Sequence, residues 1–129
     1  MSTTLKIAMA QIAPVWLDKS ATLHKIENSI KDAAKENCEL IVFGEALLPG
    51  YPFWLALTGG AEWNTDLNKK LHAHYVSNSI CIEKGELDLV CQLAKAHKMA
   101  IYLGIIERPT DRGGHSIYAS LIYINEKGE

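Results

Sequence analysis

Long hydrophobic runs are missing from this 129-residue sequence, and so is an excess of charge of either sign. No apolar stretch approaches the roughly 20 residues that a membrane-spanning helix needs. The 13 basic and 15 acidic residues give a formal net charge of -2. There is no basic stripe of the kind that nucleic acids or anionic membranes attract, and no signal peptide at the N-terminus. We therefore expect a cytoplasmic protein that binds neither nucleic acid nor membrane.

Cysteine is scarce and irregularly spaced: Cys38, Cys81 and Cys91 form no Cys-x-x-Cys pair. An odd number without such a pair predicts reduced thiols rather than a disulfide framework or a zinc site. Cys91 lies on the apolar side of a predicted helix, where a core position is expected. His72 and His74 are two residues apart, so on a helix their side chains point about 200° from each other and cannot share an ion. We expect neither a metal nor a cofactor.

Apolar residues are abundant, at 48% of the chain, while charged residues make up 22%. This balance excludes a disordered chain, and at about 150 residues per domain the length fits one domain or part of one. Alternating or continuous apolar runs predict strands, and apolar residues three and four apart predict helices. In chain order the predicted elements are a strand over 5–12, a helix from Asp18 or Ser20 to about 37, a strand over 40–43, an irregular loop, helices over 64–77 and 86–98, and strands over 100–106 and 118–124.

This order of elements predicts an α/β fold. Helical crossovers join the earlier strands, and the last two strands are expected to form an antiparallel pair. The small side chains of Ala8 and Ala10 suit a first strand that is covered on both faces.

Glu45 is the most informative single residue. It follows the apolar run 40–43 and therefore lies at the carboxyl end of a predicted buried strand, where α/β proteins gather their functional sites. Partial desolvation there would raise the pKa of the carboxyl group and suit it to act as a general base. Position alone is equally consistent with a structural role, in which Glu45 pairs with a cation or caps a nearby helix.

An aromatic cluster follows on a loop with two prolines and a glycine. Tyr51, Phe53 and Trp54 could wall a small-molecule pocket, or their rings could simply pin the loop to the body of the protein. The pinning role is favoured for Phe53 and Trp54 more than for Tyr51, whose phenol has a polar tip.

The stretch 40–52, Leu-Ile-Val-Phe-Gly-Glu-Ala-Leu-Leu-Pro-Gly-Tyr-Pro, closely resembles the nitrilase signature of an apolar strand, a catalytic glutamate and a Pro-Gly-Tyr-Pro loop. Residues 8–11, 101–108 and 113–128 resemble further strands of that family, so the similarity covers essentially the whole chain. The sequence Pro-Phe-Trp at 52–54 resembles the nitrilase branch more than the amidases. Gly44 stands where proline is common and Ala119 where asparagine is frequent, which we interpret as variation within the branch.

The resemblance implies that this chain is the N-terminal part of an α-β-β-α sandwich. It also implies a Glu-Lys-Cys triad that hydrolyses a nitrile to a carboxylic acid and ammonia. In that chemistry a cysteine thiolate attacks the nitrile carbon, the glutamate manages its proton and the lysine stabilises the tetrahedral intermediate. Glu45 matches the glutamate, and Tyr51 and Trp54 are the implied substrate-binding residues. The family's lysine and cysteine would follow after residue 129.

From the resemblance we expect residues 1–129 to be the N-terminal segment of a single, incomplete carbon-nitrogen hydrolase domain. Its last strand would lack a hairpin partner, and the segment alone would be unstable or aggregation-prone. The full-length protein is expected to form homo-oligomers or filaments. The alternative is a catalytically inactive, truncated nitrilase-like protein that acts in assembly or interaction. A flavodoxin-like binding domain is disfavoured by the Pro-Gly-Tyr-Pro loop directly after Glu45.

Overall fold

A computed structural model describes residues 3–129, which form a mixed sheet with helices. The strands and α-helices are β1 (Ile7–Ala10), α1 (Lys19–Lys35), β2 (Leu40–Phe43), α2 (Asp66–Asn78), α3 (Asp88–His97), β3 (Ala100–Glu107) and β4 (Tyr118–Ile124). Two short 3-10 helices, Phe53–Ala56 and Ile82–Lys84, flank α2 in the sequence. The α/β class that the sequence predicts is therefore confirmed.

The four strands stand in the sheet in their chain order, β1-β2-β3-β4. The first three are parallel, and β4 runs antiparallel to β3, as the sequence predicts. In the register, Val42 lies between Met9 and Tyr102, and Tyr102 in turn faces Tyr123. Because paired residues point to the same side of a sheet, these four side chains share one face.

The opposite face is covered by α1 and α3. Asp18 caps α1, since its Oδ1 accepts a hydrogen bond from the Ala21 backbone N–H at 2.9 Å. The apolar stripes of both helices pack on the sheet in one core. Its fully buried side chains include Ile26 and Ile30 of α1, Val90 of α3, and Ile41, Ile101 and Leu103 of the sheet.

The face that carries Val42 and Tyr102 is largely open within residues 3–129, and we call it the open face. Met9 is 81% exposed and Leu121 is 66% exposed. The expectation that β1 is covered on both faces is therefore wrong for this part of the chain. The reason is topological: each crossover steps one strand in the same direction, and right-handed crossovers then put α1 and α3 on the same side.

The irregular loop after β2 contains a 3-10 helix that the sequence analysis missed. Pro52 precedes it with φ -77°, and its carbonyl accepts from the Leu55 N–H at 3.2 Å. A proline fits at the start of a helical turn because the N–H that it lacks would have no partner there. The prediction of no regular structure after β2 is therefore wrong for residues 53–56, because a proline does not exclude a helical turn that begins just after it.

Candidate functional site

Glu45 lies two residues beyond the end of β2, at the carboxyl end of the parallel strands. The residue is exposed, so the partial desolvation predicted for it is wrong within residues 3–129. The strand ends at Phe43, and Gly44 and Glu45 lead the chain from β2 across β3, where both residues stay exposed to solvent. Over the same range Glu45 forms no ion pair or hydrogen bond and caps no helix. The structural role considered for it thus has no support in the described contacts.

Backbone packing fixes where Glu45 stands. The Gly44–Ala46 segment crosses β3 at Gly104 so closely that a Cβ on Gly104 would lie 2.8 Å from the Glu45 Cα. Just beyond, Leu48 extends the sheet: its N–H donates to the Gly104 carbonyl at 3.3 Å. The Ile106 N–H donates in turn to the Leu48 carbonyl at 2.9 Å. Glu45 therefore projects from a segment that is bonded to the central strand.

The Pro-Gly loop is anchored by two residues that the sequence analysis did not single out. The Tyr75 hydroxyl of α2 donates to the Gly50 carbonyl at 2.8 Å, in a buried position. Burial, with a smaller effect from Tyr51, raises the pKa of Tyr75. Gly50 has φ +135°, and a Cβ there would lie 2.5 Å from the Trp16 ring. No sequence motif indicates these contacts, because Trp16 and Tyr75 are distant in sequence from the loop.

The three aromatic residues of the loop have different surroundings. Tyr51 is 59% exposed. Phe53 packs edge-on against Trp16, with ring centroids 4.7 Å apart. Trp54 is 7% exposed and contacts Tyr75 edge-on at 4.9 Å. The pinning role is thus present for Phe53 and Trp54, as the sequence favours.

Two cavities meet beside this loop. The first, of about 310 Å³, is lined by Glu45, Gly104 and residues 119–121. The second, of about 270 Å³, is lined by Trp54 and Tyr75. Its other lining residues are Pro52, Leu55, Asn68, His72, Ile106, Ile117, Tyr118 and Ala119. Ala119 lines both cavities. The glutamate cavity and the aromatic cavity therefore adjoin at this small side chain.

Three polar side chains of the aromatic cavity already have partners in the protein. Asn68 Nδ2 donates to the Gly59 carbonyl at 3.0 Å, and Tyr75 is bonded to Gly50. His72 Nε2 lies 3.3 Å from the His115 carbonyl. What the cavity offers a ligand is mainly aromatic and aliphatic surface, which suits an apolar group.

The histidines and cysteines are the remaining candidates for chemistry within residues 3–129. No group of three or more His, Cys, Asp or Glu side chains there could hold a metal ion. Cys38, Cys81 and Cys91 are free. Cys91 packs against the core as predicted, and burial together with Asp88 raises its pKa. A raised pKa keeps the thiol protonated and a poor nucleophile. No helix in the described range is long and apolar enough to cross a membrane.

Comparison with known proteins assigns the chain to a family. Residues 6–129 match the carbon-nitrogen hydrolase family. This chain belongs to the carbon-nitrogen hydrolase family. It is 35% identical over 129 residues to an arylacetonitrilase of Fusarium vanettenii, covering 100% of this chain and 35% of that protein. It is 34% identical over 124 residues to nitrilase 2 of an unknown prokaryotic organism, covering 95% of this chain and 37% of that protein.

A solved structure supports the fold of this family member. An amidase of the nitrilase superfamily from Nesterenkonia AN1 superposes with a TM-score of 0.63 at 17% identity, covering 97% of this chain and 40% of the amidase. The chain thus spans about 35% of the length of the arylacetonitrilase that it matches. The expected correspondence to the N-terminal part of the nitrilase fold is confirmed.

Proposed function

We propose that this chain supplies the general base and part of the substrate pocket of a nitrilase that converts a nitrile to a carboxylic acid and ammonia. The single observation that carries the proposal is Glu45. Its carboxylate has no partner within residues 3–129 and stands on a fixed backbone segment, it borders a cavity, and it lies in a chain of the carbon-nitrogen hydrolase family. A charged side chain that borders a cavity and has no partner in the protein is a candidate for interaction with a substrate.

In the proposed reaction Glu45 takes the proton of a cysteine thiol, and the thiolate attacks the nitrile carbon. A lysine stabilises the negative charge that develops, and the product of the attack is a thioimidate. One water adds to the thioimidate and ammonia leaves, which gives an acyl-enzyme thioester; a second water then releases the acid and the free thiol. The lysine and cysteine would come from sequence that follows residue 129, so the whole reaction belongs to a complete hydrolase domain. Residues 1–129 would be the N-terminal segment of that domain.

The substrate class we propose is an aromatic nitrile. The arylacetonitrilase relatives carry such a substrate in their names. The aromatic cavity shares Ala119 with the glutamate cavity and is mainly apolar, and its Asn68 and Tyr75 side chains are bonded within the protein. Trp54 would form its wall against the ring of the substrate. Tyr51 is exposed on the Pro-Gly loop and lines neither cavity, so its proposed contact with the substrate would be made by the phenol from outside them.

The test is the Glu45→Gln variant in protein that carries the whole hydrolase domain. The amide keeps the shape of the side chain but cannot accept the proton, so ammonia release from an arylacetonitrile should fall by about 10² to 10⁴-fold. The matched control is Glu126→Gln, which removes an exposed carboxylate at the turn after β4 that forms no ion pair within residues 3–129. Retained turnover in Glu45→Gln would contradict the role of Glu45. Equal rates on short aliphatic nitriles would contradict the aromatic substrate.

A second function, assembly without catalysis, is favoured by the open face of the sheet, where Met9, Leu121 and Tyr123 are more than half exposed. Exposed apolar surface of this kind commonly binds another protein surface. In this case the protein would form homo-oligomers, as expected for the full-length protein, yet release no ammonia. Light scattering and an ammonia assay on the same preparation separate the two functions.

The three free thiols are compatible with the cytoplasm, where we propose that either function takes place.

A further inference from the structure

Gly104 lies in the middle of β3, opposite Leu121 of β4. A Cβ at this position would meet backbone atoms: the Gly44 oxygen at 2.2 Å, the Ala46 nitrogen at 2.8 Å and the Glu45 Cα at 2.8 Å. Distances under 3.0 Å are not observed for real Cβ atoms. Because backbone atoms cannot rotate away as a long side chain can, any side chain at Gly104 must push the segment itself.

Glycine is needed here for space and not for backbone conformation. Gly104 lies in a regular strand, outside the left-handed region that only glycine adopts readily. Alanine would therefore keep the strand dihedral angles without strain. The cost of the added methyl group falls on the contact with the Gly44–Ala46 segment.

Both ends of the Gly44–Ala46 segment are fixed to the sheet, so a displacement at its centre cannot be relieved by movement of its ends. Before it, Phe43 is paired in the sheet with Ala10. After it, Leu48 exchanges hydrogen bonds with β3, and its side chain is 0% exposed. A displacement caused at Gly104 is therefore concentrated on the residues between, which include Glu45.

We propose that Gly104 is a positioning residue for Glu45: its missing side chain lets the backbone of the glutamate lie directly on β3 and so sets where the carboxylate stands. This inference rests on the proposed function of Glu45 as the general base. Catalysis depends steeply on such placement, because a shift of about 1 Å can cost about 10²-fold in rate. Gly104 acts through Glu45 and need not touch the substrate.

The test compares Gly104→Ala with Gly113→Ala in protein that carries the whole hydrolase domain. Gly113 is the matched control because a Cβ there would have nothing within 4 Å, and its backbone is outside the left-handed region. We expect Gly104→Ala to lower kcat about 10²-fold with KM little changed and with the circular dichroism spectrum retained. Gly113→Ala should leave both kinetic constants unchanged.

A double-variant cycle with Glu45→Gln separates positioning from a general structural effect. If Gly104 acts through Glu45, adding Gly104→Ala to Glu45→Gln lowers the residual rate no further. Losses that multiply would overturn the proposal, as would an unchanged kcat in Gly104→Ala. A Gly104→Ala variant that does not fold would also overturn it, because the methyl group would then disrupt the sheet. Absence of turnover in the unsubstituted protein is a separate outcome that refutes the proposed function itself.

Discussion

The two faces of the sheet come from the same strands and have similar apolar composition, but their surroundings are opposite. On the covered face, Ile41 is 1% exposed and Ile101 is 0% exposed beneath α1 and α3. On the open face, Met9 and Leu121 are 81% and 66% exposed. The Glu45 segment crosses β3 at Gly104, whose register partner is Leu121. The covered face therefore holds the fold together, and the open face carries the candidate site.

The largest difference between the faces should appear in stability. Ile101→Ala leaves a cavity under the helices and should lower the free energy of unfolding by about 2–5 kcal/mol. Met9→Ala, on the open face, should change it by less than about 0.5 kcal/mol. Urea unfolding measures both, in protein that carries the whole hydrolase domain or in the 129-residue chain at concentrations where light scattering detects no aggregate. Equal losses would mean that a second copy or another surface covers the open face in solution.

A smaller loss of stability is expected for a change at the end of the open face, where α2 and the Pro-Gly loop pack on it. Tyr75→Phe removes the hydroxyl that pairs with the buried Gly50 carbonyl and should cost about 1–3 kcal/mol. The control is Tyr123→Phe, on the exposed part of the same face, where the side chain is 51% exposed. Thermal unfolding followed by circular dichroism would compare them. A cost as small as that of Tyr123→Phe would show that the loop does not depend on this hydrogen bond.

The smallest expected effect is a dependence of stability on pH, which arises at the ion pair between Lys19 at the start of α1 and Glu86 just before α3. There Lys19 Nζ lies 2.6 Å from Glu86 Oε1, and the Cys81 N–H donates to Glu86 Oε2 at 2.7 Å. Burial opposes ionisation of Glu86, but these two partners, with a smaller contribution from the charge of Arg108, hold its pKa below the ordinary value of 4.5. A lowered pKa in the folded state means that the stabilisation is complete above about pH 4.5 and is lost as the pH falls through the folded-state pKa.

Unfolding of the original protein and Glu86→Gln between pH 6 and pH 3 tests this. The original protein should be the more stable at pH 6, and the difference should shrink as the pH falls, because both then carry a neutral group at position 86. A difference that stays constant or grows toward pH 3 would contradict the assignment. Variants of the open face, such as Met9→Ala, should not change the pH dependence.

Much of the fold could be predicted from local patterns. The alternation over 5–12 located β1, the continuous run over 40–43 located β2, and apolar residues three and four apart located α1. Of the two caps that the sequence left open for α1, the structure has Asp18 and not Ser20. The position of Glu45 after a buried strand identified the candidate site. What could not be predicted was the exposure of Glu45 and its close contact with Gly104, because β3 is some 60 residues away in the sequence and no local pattern reports on such a contact.

The sequence by itself determined which residues share a face, since strand and helix periods are local properties of the chain. It also determined the family, through the residues around Glu45 and the Pro-Gly-Tyr-Pro loop. Only the tertiary structure decided which face is covered, because that depends on the direction and handedness of the crossovers. It alone brought Gly104 against the Glu45 backbone and Tyr75 against Gly50, because these contacts join elements distant in the chain through space that only packing can close.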